Sequence, residues 1–157
     1  MKVEIERKFL VTGDEWRTGS VPVRIVQGYL SRDPDRIVRI RLQGEEAFLT
    51  VKGRADGITR AEIEFSIPIE SGRDLLPLCL PPTIRKTRHE VFFGSHRWEV
   101  DEFEGENSGL VVAEVELGSE DEDFARPPWI GQEVSHDHRY TNSHLSEHPF
   151  CTWNRTG

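Results

Sequence analysis

Through the first 117 residues, apolar and polar side chains alternate with a period of two, which predicts strands rather than helices. The pattern runs over residues 3–11, 23–30, 36–42, 47–52, 60–67, 84–90, 97–103 and 110–117. Turn chemistry separates these runs: Asp33-Pro34-Asp35, Gln43-Gly44, residues 53–57, Gly94-Ser95 and residues 105–109. A helical interruption is expected over residues 71–80, held to a turn or two by Pro77. A second helix is expected from Ser119, which stands at capping-box spacing from Glu122, with Pro127-Pro128 as its stop. Eight strands with little helix predict a barrel or a sandwich.

The charged positions sharpen this picture. Glu4, Glu6 and Lys8 share one face of their strand, while Val3, Ile5, Phe9 and Val11 share the other. Arg39 pairs with Arg41, Glu62 with Glu64, Lys86 with Arg88, Glu99 with Asp101 and Glu114 with Glu116, each pair opposite an apolar face; Lys52 stands alone opposite Leu49 and Val51. One amphipathic strand with a solvated charged face looks the same. Like-signed pairs on strand after strand do not fit a solvated sheet, which intersperses its charges. Carboxylates two positions apart on a strand lie roughly 6.5–7 Å apart. At an effective dielectric near 20, each such pair costs about 2–3 kcal/mol. Acidic rows facing a shared cavity call for a divalent cation, which takes several oxygen ligands. Basic rows call for a polyanion. The pattern therefore predicts a barrel that is polar inside and holds metal and phosphate.

Composition sets the outer bounds. The 157 residues include 28 acidic and 20 basic side chains, a net charge of −8, and the length suits one domain over residues 1–157, with a C-terminal tail from about residue 143. The acidic balance argues against a general nucleic-acid surface but leaves room for a local basic pocket. No run approaches the roughly 18 apolar residues of a membrane span, and Glu4 and Glu6 interrupt any secretory signal. Cys79 and Cys151 have neither framework nor metal spacing, so reduced thiols and a cytoplasmic location are expected. The sequon Asn154-Arg155-Thr156 carries no weight without a signal. His136, His138, His144 and His148 are too irregularly spaced for a recognised zinc site and read as solvent-exposed. The acidic run 120–123 reads as a helix start and solvated face. Trp16, Trp98, Trp129 and Trp153 read as packing residues rather than stacking platforms.

The opening strand, Glu4-Ile5-Glu6-Arg7-Lys8-Phe9-Leu10-Val11, carries an ExExK signature. With Gln27-Gly28-Tyr29-Leu30, Arg39-Ile40-Arg41, Thr50-Val51-Lys52, Arg60-Ala61-Glu62-Ile63-Glu64, Ile84-Arg85-Lys86-Thr87-Arg88, Trp98-Glu99-Val100-Asp101 and Glu114-Val115-Glu116, it resembles the CYTH superfamily of triphosphate tunnel metalloenzymes. The likeness extends through Pro127-Pro128-Trp129-Ile130-Gly131-Gln132-Glu133-Val134 to Asp137, Arg139, Tyr140 and Asn142, and is strongest to the short bacterial inorganic triphosphatases.

That resemblance implies a mainly β fold: an eight-stranded antiparallel barrel forming a tunnel with a charged interior and a few helices packed outside. It implies hydrolysis of inorganic triphosphate to pyrophosphate and phosphate with Mg²⁺ or Mn²⁺. Lys8, Arg39, Arg41, Lys52, Lys86 and Arg88 match the phosphate-binding positions. Glu4, Glu6 and Glu116 match metal-binding acids, with Glu64, Asp101 and Glu114 as further candidates, and Glu62 matches either an acid or a partner of a nearby cation. Tyr29 and Lys86 match a catalytic dyad. The expected partner is inorganic triphosphate or a small molecule bearing a triphosphate; oligomeric state is open. Thiamine triphosphatase and class IV adenylate cyclase share the machinery, and a binding module without turnover is the reading from another class. An apolar lipocalin-like carrier conflicts with the inward polarity. The tail, interrupted by Pro149, is expected to influence access without supplying an essential ligand.

Overall fold

A computed structural model describes residues 2–153. Eight of the predicted runs form strands: β1 (Lys2–Val11), β2 (Val23–Ser31), β3 (Ile37–Gln43), β4 (Glu46–Lys52), β5 (Thr59–Ile67), β6 (Leu80–Phe93), β7 (His96–Phe103) and β8 (Val111–Glu116). They are ordered β5-β4-β3-β2-β6-β7-β8-β1, and an antiparallel β5–β1 pairing closes the ring into an eight-stranded barrel. A ninth strand, β9 (Ile130–Glu133), lies on the second half of β1, whose first half holds β5. Four residues with a glycine among them are too short and too weakly alternating to announce β9 from sequence.

Register puts the charged rows on one side of the sheet. Lys8 faces Glu114, Glu6 faces Glu116, Arg88 faces Asp101, Glu99 faces Glu114, Lys52 faces Glu62 and Thr50 faces Glu64. Directly opposed residues share a face, so these groups all line the barrel interior. The outward apolar face of β1, β7 and β8 builds the main core, in which Phe9, Trp98, Val100, Ala113 and Val115 pack with Trp16 and Trp129. Phe124 comes within 5.6 Å of the Trp98 ring and 6.0 Å of Phe9. Trp153 packs on Tyr140 and Phe150, so all four tryptophans are packing residues.

The helix expected from Ser119 does not form. A turn stands there, in which Glu122 Oε1 accepts from the Gly118 amide at 2.8 Å and Oε2 engages His96. The burial of Phe124 and Trp129 and the proline pair draw this stretch flat across the sheet, and they win over one capping signal. The expected interruption before β6 is α1 (Ile69–Leu75), followed by a single 3-10 turn through Pro77. Helix α1 lies on β3 and β4 through Gly72, where an added Cβ would stand 2.6 Å from Ala47 Cβ and 2.7 Å from a Leu42 methyl. Ala47 has no flexible side chain to withdraw, so Gly72→Ala is expected to lower unfolding free energy by about 1–3 kcal/mol, the range for overpacking. Urea titration checks this, with α1 lifting off β4 as the local cause.

The C-terminal residues are more ordered than the composition suggested. Helix α2 (Asn142–Glu147) starts on Thr141, whose hydroxyl accepts from the His144 amide. Its Leu145, fully buried, packs with Ile84, Phe103, Leu110 and Val112, and Leu10, Tyr140, Phe150 and Trp153 surround them. Ile84, Phe103, Val112 and Leu10 lie two residues along from Lys86, Asp101, Glu114 and Lys8, so they face the same interior. An apolar plug thus seals part of the barrel end where β1 finishes. The rings of His138, His144 and His148 touch in sequence, the first pair edge-on and the second tilted. Both cysteines are free, Cys79 buried and Cys151 exposed. The sequon at Asn154 lies outside the described residues. No helix among them is long and apolar enough to cross a membrane.

Candidate active site

The barrel encloses a cavity of about 450 Å³. Its wall holds Lys8 from β1, Arg39 and Arg41 from β3, Lys52 from β4, and Lys86 and Arg88 from β6. Facing them are Glu4 and Glu6 from β1, Glu62 and Glu64 from β5, Glu99 from β7, and Glu114 and Glu116 from β8. Tyr29 reaches the same space from β2.

The rows neutralise one another across strands. Lys52 Nζ lies 3.1 Å from Glu4 and 3.5 Å from Glu62. Arg39 and Arg41 each lie 3.5 Å from Glu64 Oε2, which also accepts from the Thr50 hydroxyl at 2.7 Å. Lys8 Nζ stands 3.4 Å from Glu114 and donates to the Tyr140 carbonyl at 3.1 Å. Arg88 grips Asp101 with Nε at 2.8 Å and Nη2 at 3.0 Å, and Glu99 with Nη1 at 3.0 Å. The Lys86 ammonium, fully buried, pairs with Asp101 at 2.8 Å and donates to Asn142 Oδ1 at 2.9 Å. Cross-strand pairing therefore supplies much of the counter-charge that the like-signed rows demand.

Glu6 is the exception. Among the described residues no hydrogen bond or ion pair engages its carboxylate. Burial, with Glu114 and Glu4 close by, pushes this carboxyl well above the usual range, and Lys52 and Lys8 offset that only in part. Burial pushes Glu62 up as well, to about 7, with a hydrogen bond shared with Glu4 as the next cause. Glu4 itself is pushed up by burial, yet the Lys52 charge and that shared bond hold it below its ordinary value. Burial also opposes ionisation of Glu114 and Asp101, and both are nevertheless held low: Glu114 by Lys8, Lys86 and Arg88, at about 2, and Asp101 by Arg88 and Lys86. Burial lowers Lys86 to about 8 against the pull of Asp101, and lowers Arg41 to about 10 beside Arg39 and Arg88.

The structure thus brings Lys8, Arg39, Arg41, Lys52, Lys86, Arg88, Glu4, Glu6, Glu64, Glu114, Glu116 and Tyr29 onto one cavity wall. Asp101 stands behind that wall with both oxygens taken by Arg88 and Lys86. Glu116 stands nearer solvent, paired with Lys2 at 3.2 Å. Tyr29 and Lys86 are not in direct hydrogen-bond contact among the described residues; Gln27 and Asn142 lie between them. Sequence reasoning counted both among the residues of the family resemblance but gave neither a role. Gln27 was findable, since it sits two residues before Tyr29 and so on the same strand face. Asn142 had only its place in the resemblance, because no periodicity says where a helix start meets a barrel. Glu4, Glu6 and Glu114 offer carboxylate oxygens, the chemistry a hard divalent cation takes. Glu4 and Glu114 are turned to Lys52 and Lys8, so among the described residues the acids are not gathered into a ready metal-holding cluster, and Glu6 is the one of the three without a cation partner.

Comparison with known proteins bears on what this cavity does. The CYTH domain family matches residues 2–146. An inorganic triphosphatase of Acetivibrio thermocellus is 46% identical over 151 residues, covering 96% of this chain and 97% of that protein. An inorganic triphosphatase of Nitrosomonas europaea is 40% identical over 148 residues, covering 91% and 96% respectively. The crystal structure of the inorganic triphosphatase NE1496 superposes with a TM-score of 0.66 at 36% identity, over 90% of this chain and 96% of that one.

Proposed function

This chain belongs to the CYTH domain family, and from that premise we propose that it is a metal-dependent inorganic triphosphatase, cleaving tripolyphosphate to pyrophosphate and orthophosphate. One observation carries this reading: six cationic side chains from four strands converge with an acidic cluster on a single enclosed cavity. The curated relatives that match nearly the full chain are named for this activity.

Hydrolysis needs a water in line with the terminal phosphorus and charge stabilisation on the transferred and leaving oxygens. The water oxygen forms the new bond to phosphorus, the bridging P–O bond breaks, and pyrophosphate leaves with the bridging oxygen. No serine or cysteine nucleophile is called for. Arg39, Arg41 and Arg88 present planar forks that suit paired phosphate oxygens, while Lys8, Lys52 and Lys86 act as compact point charges. Glu64 spans Arg39 and Arg41 and holds both forks in place. Asp101 does the same for Arg88 and Lys86. Glu4, Glu6, Glu114 and Glu116 would hold the divalent cation, Mg²⁺ or Mn²⁺. When bound, it supplies positive charge against the phosphate oxygens and acidifies the attacking water. Tyr29 and Lys86 face the reacting phosphoryl group as hydrogen-bond donors.

Phosphate release from tripolyphosphate, thiamine triphosphate and ATP, each with Mg²⁺ or Mn²⁺ and with a chelator, tests the proposal. Tripolyphosphate is expected to turn over fastest, and chelation to abolish release. Cyclic AMP formation from ATP would overturn the reading, and tight phosphate-chain binding with no metal-dependent product would replace it with a binding module.

A further inference from the structure

Among the described residues Lys86 Nζ has two acceptors, Asp101 Oδ2 at 2.8 Å and Asn142 Oδ1 at 2.9 Å. The same Asn142 oxygen accepts from Gln27 Nε2 at 3.1 Å, and that nitrogen lies 3.3 Å from the Tyr29 hydroxyl. A chain of hydrogen bonds therefore runs Lys86–Asn142–Gln27–Tyr29 along the cavity wall.

The direction of this chain is fixed at its cationic end. An ammonium only donates, so Asn142 presents its oxygen, not its nitrogen, to Lys86. Gln27 must then present its amide nitrogen to that oxygen, and a nitrogen with only hydrogens to offer donates to Tyr29 in turn. The Tyr29 oxygen is thereby an acceptor within the chain, and its own hydrogen is left for the cavity that Tyr29 lines. The third N–H of Lys86 is left over in the same way. Gln27 is fully buried and its Oε1 has no partner among the described residues, so the orientation of the amide is dictated from its nitrogen side. Asn142 is anchored in its turn by the cap on Thr141 and by the burial of Leu145 one turn further along α2.

We propose that Gln27 and Asn142 are positioning residues that join Tyr29 and Lys86 into one unit and aim the phenol hydrogen and the spare ammonium hydrogen at the phosphate chain. This rests on the hydrolytic reading above and deepens it, placing a residue of the C-terminal segment behind the catalytic pair. Neither residue needs to touch substrate; each acts through its neighbour.

The test is a pair of double-mutant cycles on tripolyphosphate turnover, with Gln27→Met and Asn142→Ala made in the wild type and in the Tyr29→Phe background. Each single change is expected to lower kcat about tenfold, as misalignment of a reacting group does, while KM stays within about threefold. In the Tyr29→Phe background the further loss from Gln27→Met is expected to shrink below about twofold, because the group it aims is already gone. A general structural fault would instead multiply with Tyr29→Phe at full size, and that result would overturn the proposal, as would wild-type kcat in both single variants. Should Gln27→Met fail to fold, Asn142→Ala, at a half-buried position, decides in a background lacking Lys86 (Lys86→Met), the group it touches directly: a further loss below about twofold supports the proposal and a full-size loss overturns it. Absence of turnover in the wild type would sink the hydrolytic reading instead, so the two failures are distinguishable.

Discussion

Glu6→Gln is expected to yield a protein that is more stable without metal and nearly inactive with it. Glu6 is a half-buried carboxylate on the cavity wall beside Glu4 and Glu114, with no hydrogen bond or ion pair among the described residues. Replacing it by an amide of the same shape removes the repulsion and the desolvation cost of the charge. A gain of about 0.5–2 kcal/mol in the metal-free protein is expected, the usual yield when a strained functional group is removed. Turnover is expected to fall about a hundredfold or more, since even residues behind a metal's ligands cost 10–100-fold. A third readout separates the two effects. Metal binding to the native state raises the melting temperature of the wild type by linkage, and the variant is expected to lose most of that rise. A variant less stable than wild type without metal would show that Glu6 already has its counter-charge in the protein. Unchanged turnover would remove Glu6 from the site.

Ending the chain after Asn142 is expected to cost the barrel its fold rather than to open an entrance. Asn142 survives this cut, so a ligand to Lys86 is kept, but Leu145, Phe150 and Trp153 are lost from the plug. Ile84, Phe103 and Val112, all buried, would then face water from the barrel end. Leu145→Ala isolates the largest part of the effect, and buried Leu→Ala changes cost about 3–5 kcal/mol. For a chain of this size, each kcal/mol moves the melting temperature by about 2–4 °C, so a fall of about 6–20 °C is expected for Leu145→Ala and a larger one for the truncation. This is a different role from the one the composition suggested, where the tail only influenced access. A truncated chain melting at the wild-type temperature would restore that simpler view.

The barrel was legible because its signal is local. Strand alternation is written in side chains two positions apart, and the eight expected runs agree with β1–β8 to within a few residues at their ends. The charged interior was legible for the same reason, since parity alone puts Glu4, Glu6 and Lys8 on one face. What sequence could not show is how the rows meet. Asp101 and Glu114 look alike as acids on alternating strands, yet Asp101 is clasped by Arg88 and Lys86 while Glu114 faces the open cavity. The two-residue turn at Gly94-Ser95 sets Arg88 opposite Asp101, but the pattern fixes β7 against β8 only in parity, so slips of two residues stay open. Glu62, readable as either a metal ligand or a cation's partner, sits against Lys52 at 3.5 Å and shares a hydrogen bond with Glu4. The missed helix at Ser119 is the reverse case, a valid local signal defeated by the distant burial of Phe124 and Trp129.

Strand β1 has a consequence for the order in which the molecule is made. It is made before the other eight strands, yet the half that carries Glu6 and Lys8 pairs with β8 on one side, and its last residues pair with β9 on the other. Those partners lie more than a hundred residues downstream, and such distant pairings are the slow ones. The nascent chain therefore carries two of the cavity's charges on an unpaired edge until β8 has emerged, and no fragment that ends before β8 can assemble the enclosure.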